Sequence, residues 1–153
     1  MASEEVVVIQ SRLGEREVRL EKVIHFPRGI IGFESARDFT LLQIQENAPL
    51  HVLQSMEEPT LGLLVADPFV FLPEFNLTVN DAEQQILQAE GVQDVAVLVT
   101  AAIPPGKPEE TVLNLLGPII LNHRARIGLQ IPQMGKDDSP SKVRVRMSEL
   151  RER

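Results

Sequence analysis

Short apolar runs alternate with turn-forming residues along most of the chain. The runs are rich in valine, isoleucine and leucine, and glycine, proline, asparagine and aspartate separate them. This pattern is typical of β-strands joined by turns. Residues 6–9 and 17–21 predict a first pair of strands, because Val18 and Leu20 share one face of the second run, opposite its charges. With a turn near Gly14, the two strands are expected to form a hairpin.

The strand pattern continues towards the C-terminus. Further strands are predicted for residues 39–44, 50–55, 60–66, 95–102, 111–116, 119–121 and 126–131. Pro68 and Pro73 interrupt the series, because proline has no amide hydrogen to donate and constrains the residue before it. We therefore expect a loop around residues 69–75.

One segment predicts a helix. Asn80 is followed three residues later by Glu83, which is the spacing of a capping box. Residues 81–90 are good helix formers, and Gly91 offers a left-handed stop. The helix is therefore expected to span about ten residues between Asn80 and Gly91.

About nine strands, one short helix and no internal repeat favour a mainly β fold. We predict a small closed or nearly closed antiparallel β-barrel, with a two-sheet sandwich as the alternative. Residues 1–135 form the single barrel domain in this interpretation. Residues 136–153 are charged and predict a mobile tail, with an edge strand over residues 143–147 as the alternative.

Composition restricts the chemistry that this chain can perform. Its 153 residues suffice for one domain, and a formal net charge of −7 disfavours a nucleic-acid binder. The absence of cysteine excludes thiolate nucleophiles, disulfides and most structural zinc sites. The N-terminal residues do not resemble a secretory signal, and no apolar run is long enough to span a membrane. A cytoplasmic location without membrane contact is expected.

No residue pattern indicates catalysis. His25, His51 and His123 are not spaced as metal ligands, and no known nucleophile or phosphate-binding motif occurs. The residue pattern therefore gives no indication of a catalytic, cofactor or metal site.

The charge distribution is uneven. No lysine or arginine occurs between Arg37 and Lys107, and that stretch contains ten carboxylates. They are Asp38, Glu46, Glu57, Glu58, Asp67, Glu74, Asp81, Glu83, Glu90 and Asp94. Such a stretch is either a solvated face that maintains solubility or a surface for a basic partner.

Two further motifs favour structural roles. Gly29 and Gly32 flank a short segment without matching any phosphate-binding fingerprint, so they predict a tight turn rather than a ligand cradle. Residues 114–122 place Asn114 and Asn122 around an apolar run that Gly117 and Pro118 interrupt. We expect the two amides to brace the sheet, with a binding role as the alternative.

Taken together, these residues resemble the flagellar assembly factor family, FliW. The segments that carry the resemblance are IHFPRGIIGFE (24–34), LQS (53–55) before Glu58-Pro59, VADP (65–68), PEF (73–75), TVLNLLGPIILN (111–122) and GLQ (128–130). In order and spacing they cover most of residues 6–131. The family often has tyrosine at the position of Phe75, and the chain departs from the family pattern after Ile131. Lys136, Lys142, Arg144 and Arg146 in that divergent end are interpreted as an independent basic arm.

The resemblance implies a non-enzymatic cytoplasmic β-barrel with two protein partners. Members of the family bind newly made flagellin and the RNA-binding regulator CsrA, whose repression of flagellin translation they relieve by exchanging partners. The carboxylates proposed to contact the regulator are Glu57, Glu58, Asp67 and Glu74. The side chains proposed to contact flagellin are Phe33, Phe69, Phe71 and Phe75, each with a core role as the alternative. The protein itself is not expected to bind nucleic acid.

Two other classes of protein remain open at this point. A small-ligand-binding barrel or enzyme would need a polar pocket inside the sheet. A purely structural subunit would form a stable homo-oligomer without affinity for flagellin.

Overall fold

The computed structural model describes residues 5–44, 49–107, 110–133 and 142–145. Ten strands form in these ranges, namely β1 (Val6–Ser11), β2 (Gly14–Arg19), β3 (Ile24–His25), β4 (Asp38–Gln43), β5 (Leu50–Ser55), β6 (Gly62–Ala66), β7 (Val95–Ala102), β8 (Thr111–Asn122), β9 (Ile127–Gln130) and β10 (Lys142–Val145). Two α-helices accompany them, α1 (Pro68–Phe71) and α2 (Asp81–Leu87). Short 3-10 helices follow β2 at Leu20–Lys22 and precede β7 at Val92–Asp94.

Strands β3 to β9 close into a barrel, which confirms the predicted fold class. Neighbouring strands pair in chain order from β3 to β9, and β9 then pairs with β3. All of these pairs are antiparallel except the last, in which His25 and Ile127 pair in parallel and the His25 amide donates to the Arg126 carbonyl at 3.0 Å. The barrel is therefore mixed rather than wholly antiparallel. The predicted hairpin of β1 and β2 forms a separate two-stranded sheet.

Strand β8 is longer than expected. Two short strands are predicted around Gly117-Pro118, but one strand runs through that dipeptide. Residues before it pair with β10 and residues after it pair with β9, while the register against β7 shifts between Leu98 and Thr100. Proline has no amide hydrogen to donate to the ladder. It is tolerated at such a bulge because the ladder is already interrupted there. Gly117 leaves room for the Gln130 amide, whose nitrogen would lie 2.8 Å from an added Cβ.

Apolar side chains fill the barrel and cover it outside. The interior cluster includes Phe26, Phe39, Leu53, Val65 and Ile119, all buried. Three outer clusters lie beneath the β1–β2 hairpin, beneath α1 and its loop, and beneath α2. Each covering element thus buries apolar side chains on the outside of the barrel wall, which would otherwise be exposed to water.

Helix α2 begins as predicted and ends earlier. The Asn80 carboxamide accepts from the Glu83 amide at 2.8 Å, and the Glu83 carboxylate accepts from the Asn80 amide at 2.9 Å, so the capping box is complete. The helix ends at Leu87 because Gln88 adopts the left-handed conformation, with φ of 57°. Gly91 is extended, so the predicted stop at that residue is wrong.

The physical reason for the early end lies in another strand. The Asn122 side chain, fully buried at the end of β8, donates to the carbonyls of Leu87 and Gln88 at 2.8 and 3.2 Å. Its oxygen accepts from the amides of Arg124 and Ala125, both at 3.0 Å. Asn122 therefore joins the C-terminus of α2 to the β8–β9 turn and supplies partners for carbonyls that the helix leaves free.

Three other segments are also predicted from the sequence, and the structure changes the first and agrees with the tight turn predicted at the second. The predicted loop at 69–75 begins with the turn of helix α1, which Pro68 starts and Asp67 caps. Gly29 and Gly32 have φ values of 67° and 91° in the turn between β3 and β4. Strand β10 pairs with β8 at the edge of the sheet, as in the edge-strand alternative, and the rest of the predicted tail lies outside the described residues.

We expect Asn122→Ala to lower the free energy of unfolding by about 2–3 kcal/mol, because four hydrogen bonds at a buried position lose their partner. The matched change Asn114→Ala should cost less than about 1 kcal/mol, since that exposed side chain accepts a single described hydrogen bond, from the Leu116 amide. Urea denaturation followed by circular dichroism measures both. Equal losses would contradict the bracing role of Asn122.

Candidate partner-binding surface

The turn between β5 and β6 presents Glu57 and Glu58 on a rigid support. The Ser55 hydroxyl accepts from both of their amides at 3.0 Å. The fully buried Gln54 amide donates to the carbonyls of Ser55, Glu58 and Pro59 at 3.1–3.2 Å. The backbone of the turn is thus fixed from inside while both glutamates are exposed.

The two glutamates differ in their side-chain contacts. The Glu57 carboxylate accepts from the Asp38 amide at 3.0 Å, at the start of β4. Asp38 also contacts His25, with 2.8 Å between Oδ1 and Nδ1. The Glu58 carboxylate has no hydrogen bond to another described residue, so it is the freer of the two charges.

Asp67 and Glu74 lie in the segment between β6 and α2, which we call the α1 segment (residues 67–75). The Asp67 carboxylate accepts from the Phe69 amide at 2.8 Å and so caps helix α1. Glu74 is exposed and its carboxylate contacts no other described residue through a hydrogen bond. Asp67 therefore has a structural task, whereas Glu74 is available to a partner.

The four carboxylates form two separate pairs. Gln54 pairs with Gly62 at the end of the β5–β6 hairpin that carries Glu57 and Glu58, and Leu50 pairs with Ala66 at the opposite end, next to Asp67. The strands between them extend about 15 Å at roughly 3.3 Å per residue. The structure therefore places Glu57 and Glu58 on one turn and Asp67 at the opposite end of the hairpin, in the same segment as Glu74, so the four carboxylates do not form one cluster.

Three of the four phenylalanines proposed to contact flagellin lie in the α1 segment. Phe69 and Phe75 pack edge to face with ring centroids 5.7 Å apart. Phe71 and Phe75 are half-buried against the outer cluster around Leu50 and Val99. Phe69 is 39% exposed, so it is the aromatic side chain of this segment that a partner can reach.

Phe33 belongs to another loop. It lies between β3 and β4, where its amide donates to the Ile30 carbonyl at 2.7 Å, and its side chain is 42% exposed. The neighbouring Ile31 is 60% exposed. This turn is held to the barrel by the Ile31 amide, which donates to the Gln130 carboxamide at 2.9 Å.

Within the acidic stretch, the charge of Asp94 is paired with a cation. Asp94 lies 3.2 Å from the Arg124 guanidinium, and that hydrogen bond, followed by one from the Glu90 amide, lowers the pKa of the Asp94 carboxyl. Backbone hydrogen bonds from Gly32 and Glu34 likewise lower the pKa of Glu34, which lies just before the stretch. Glu46 lies outside the described residues.

The three histidines do not belong to a metal-binding group in the described part of the chain. Burial lowers the pKa of half-buried His51 on β5. Among the described residues, no three histidine, aspartate or glutamate side chains lie close enough to hold a metal ion. The helices in the described ranges are all too short or too polar to cross a membrane.

Sequence reasoning did not identify the short strand β3, the Asp94–Arg124 pair or the inner partners of Asn122. Each depends on residues far apart in the chain, and no local spacing signals them. The carboxylates and aromatic residues of the α1 segment did carry a local signal, since they flank proline breaks.

The fold and its surface define a class: a small closed β-barrel with an apolar interior, on which rigid acidic turns and exposed aromatic side chains are available for protein contacts. Comparison with known proteins makes the assignment specific. The family model described as FliW protein matches residues 7–146. The chain therefore belongs to the FliW family.

Individual relatives agree with the family model. A flagellar assembly factor FliW from Nitratidesulfovibrio vulgaris (strain DP4) is 57% identical over 133 residues, which cover 87% of this chain and 77% of the relative. The protein of the same name from Desulfovibrio desulfuricans is 49% identical over 145 residues, covering 94% and 86% of the two chains. A crystal structure of the flagellar assembly factor FliW superposes with a TM-score of 0.82 at 30% identity and covers 90% of this chain and 96% of the other.

Proposed function

We propose that this chain is a cytoplasmic flagellar assembly factor that binds flagellin and the RNA-binding regulator CsrA in alternation. The observation that carries the proposal is membership of the FliW family over residues 7–146. The relatives described above are named as assembly factors, which is a non-enzymatic role.

The proposed mechanism is partner exchange. While flagellin is abundant, it is bound to the surface of this protein, and CsrA remains free to repress flagellin translation. When flagellin is secreted, the barrel binds CsrA and removes it from messenger RNA. The protein then acts as a sensor of flagellin supply.

The charge of the surface supports the regulator half of this mechanism. A protein that binds RNA presents cations to phosphates, and a carboxylate-rich surface attracts such cations. Glu58 and Glu74 are exposed and have no described side-chain hydrogen bond, so desolvating them would break no internal contact. Glu57 and Asp67 would add their charge while keeping their structural contacts.

The exposed aromatic side chains support the flagellin half. Apolar segments that fold on assembly require an apolar surface while they are unassembled. Phe69 and Phe33 offer such a surface from loops fixed by hydrogen bonds, whereas Phe71 and Phe75 support the α1 segment from beneath. We therefore propose Phe69 and Phe33 as direct contacts.

The alternative of an internal ligand pocket has no support from the described residues. Phe26, Phe39, Leu53 and Ile119 fill the barrel without exposure above 2%. The buried polar side chains Gln54 and Asn122 use their groups to hold the backbone. Two clefts in the described part of the chain, one beside His25 and Asp38 and one beside α2, are open to the surface.

Mixing the full chain with purified flagellin and CsrA, singly and together, tests the proposal by size-exclusion chromatography at physiological salt. We expect a complex with each partner and loss of the CsrA complex when flagellin is added in excess. A chain that binds neither partner, or one that retains CsrA at every flagellin concentration, would overturn the exchange mechanism.

Reversing two free charges should weaken CsrA binding. We expect the double variant Glu58→Lys/Glu74→Lys to bind CsrA at least tenfold more weakly, because it replaces attraction by repulsion on the proposed surface. The double variant Glu15→Lys/Glu17→Lys changes the net charge equally, but on the exposed side of the β1–β2 hairpin. Isothermal titration calorimetry at two salt concentrations distinguishes a local effect from a change in overall charge. Equal weakening in both variants would remove Glu58 and Glu74 from the site.

Truncating Phe69 should weaken flagellin binding without unfolding the barrel. We expect Phe69→Ala to lower the affinity for flagellin about tenfold, since the exposed ring loses its apolar contact. Ile103→Ala is the matched control, because Ile103 is 38% exposed in the β7–β8 loop. Affinity is measured by biolayer interferometry, and thermal denaturation checks the fold. Unchanged affinity in a folded Phe69→Ala protein would exclude this side chain from the contact.

A further inference from the structure

An apolar cleft lies between α2 and strand β7, and none of its lining residues belongs to the β5–β6 turn or to the α1 segment. Its volume is about 210 Å³. The buried side chains of Leu87 and Ile120 form its floor with the half-buried Val95 and Val97. Val79 and Val92 form its edges. We call this feature the α2 cleft.

The edges of the α2 cleft are exposed to solvent. Val92 is 87% exposed, more than any other large apolar side chain in the described ranges, and Val79 is 36% exposed. Val92 lies in the 3-10 helix before β7, so the backbone presents it in a fixed position. An aliphatic side chain that is exposed to water beside an apolar floor lacks the favourable free energy of burial. A partner that covered it would supply that free energy.

The surroundings of the α2 cleft are acidic. Asp81 and Glu83 lie on α2, and Glu90 lies between the lining residues Ala89 and Gly91. Arg124, which donates to the carbonyl of Gln88 at 3.4 Å beside the lining residue Ala89, is paired with Asp94. The free charge around the cleft is therefore negative.

We propose that the α2 cleft binds an amphipathic helix of a partner protein, with aliphatic side chains in the cleft and lysine or arginine beside them. A volume of about 210 Å³ is smaller than that of a typical small-molecule pocket, but it accommodates aliphatic anchors from one face of a helix. The acidic surroundings provide charge complementarity to basic flanks. They disfavour a second copy of this chain, whose own net charge is −7.

The test uses the full chain and an 18-residue peptide of leucine and lysine, with leucine at helical positions i, i+3, i+4 and i+7. A comparison peptide has glutamate in place of every lysine. Binding is measured by fluorescence anisotropy, and the position of the peptide is determined from amide shifts in ¹⁵N NMR spectra. The result is independent of the proposed function, because the experiment contains neither flagellin nor CsrA.

We expect the lysine peptide to bind and to shift the amides of Val79, Val92, Val95 and Val97. Val92→Ala should weaken this binding about tenfold and leave the fold unchanged, because the side chain is almost fully exposed. Val8→Ala is the matched control, as Val8 is 55% exposed on the hairpin, and it should have no effect.

Several results would overturn the proposal. They are absence of binding, shifts confined to another face, equal binding of the glutamate peptide, and unchanged binding by the Val92→Ala protein. Sedimentation of the chain alone tests whether a second copy of the chain occupies the α2 cleft. A dimer that Val92→Lys converts to a monomer would assign the α2 cleft to a second copy instead.

Discussion

Closure of the barrel between β3 and β9 is the constraint on which the rest of the structure depends. Strand β3 has two residues, and its hold on β9 comes from packing as well as pairing. The fully buried Phe26 ring lies against the backbone of Gly128, where an added Cβ would collide with it. The same ring packs edge to face on Phe39 with centroids 5.3 Å apart. These contacts convert a curled sheet into a closed wall without an exposed edge at β3.

The closed wall has an inner face, which the interior cluster fills, and an outer face, which the β1–β2 hairpin, the α1 segment and α2 cover. Two of the proposed contacts lie in the α1 segment of this outer cover. The α1 segment packs its half-buried Phe71 and Phe75 on the wall and presents Phe69 and Glu74 outwards. The β5–β6 turn is fixed by the buried Gln54 and presents Glu58. In both places a backbone held by internal contacts carries exposed side chains, of which Glu58 and Glu74 make no described side-chain hydrogen bond. Such positions bind partners at little cost in conformational entropy.

The negative charges of the acidic stretch are spread over several parts of the surface. Between Arg37 and Lys107 every formal charge is negative, and the closed barrel distributes these carboxylates to both ends of the β5–β6 hairpin and to α2. Under the proposed function, a basic regulator would be attracted to all of them, whereas an apolar partner would be selected by the exposed aromatic and aliphatic side chains nearby. In that proposal, attraction by charge and selection by apolar contact are the two means by which one small barrel binds two chemically different partners.

The sequence by itself determined the local elements: the β1–β2 hairpin, strands β4 to β7 and the capped start of α2, because strand alternation and capping are encoded by neighbouring residues. It also indicated the barrel class and the family. Only the tertiary structure decided the parallel β3–β9 closure, the continuity of β8 through Gly117-Pro118, and the end of α2 at Leu87, where Asn122 satisfies the last carbonyls. It also separated the four carboxylates into two pairs and distinguished Phe69 from Phe71 and Phe75. These features depend on which distant segments meet, and that is set by packing around the closed wall rather than by the local pattern.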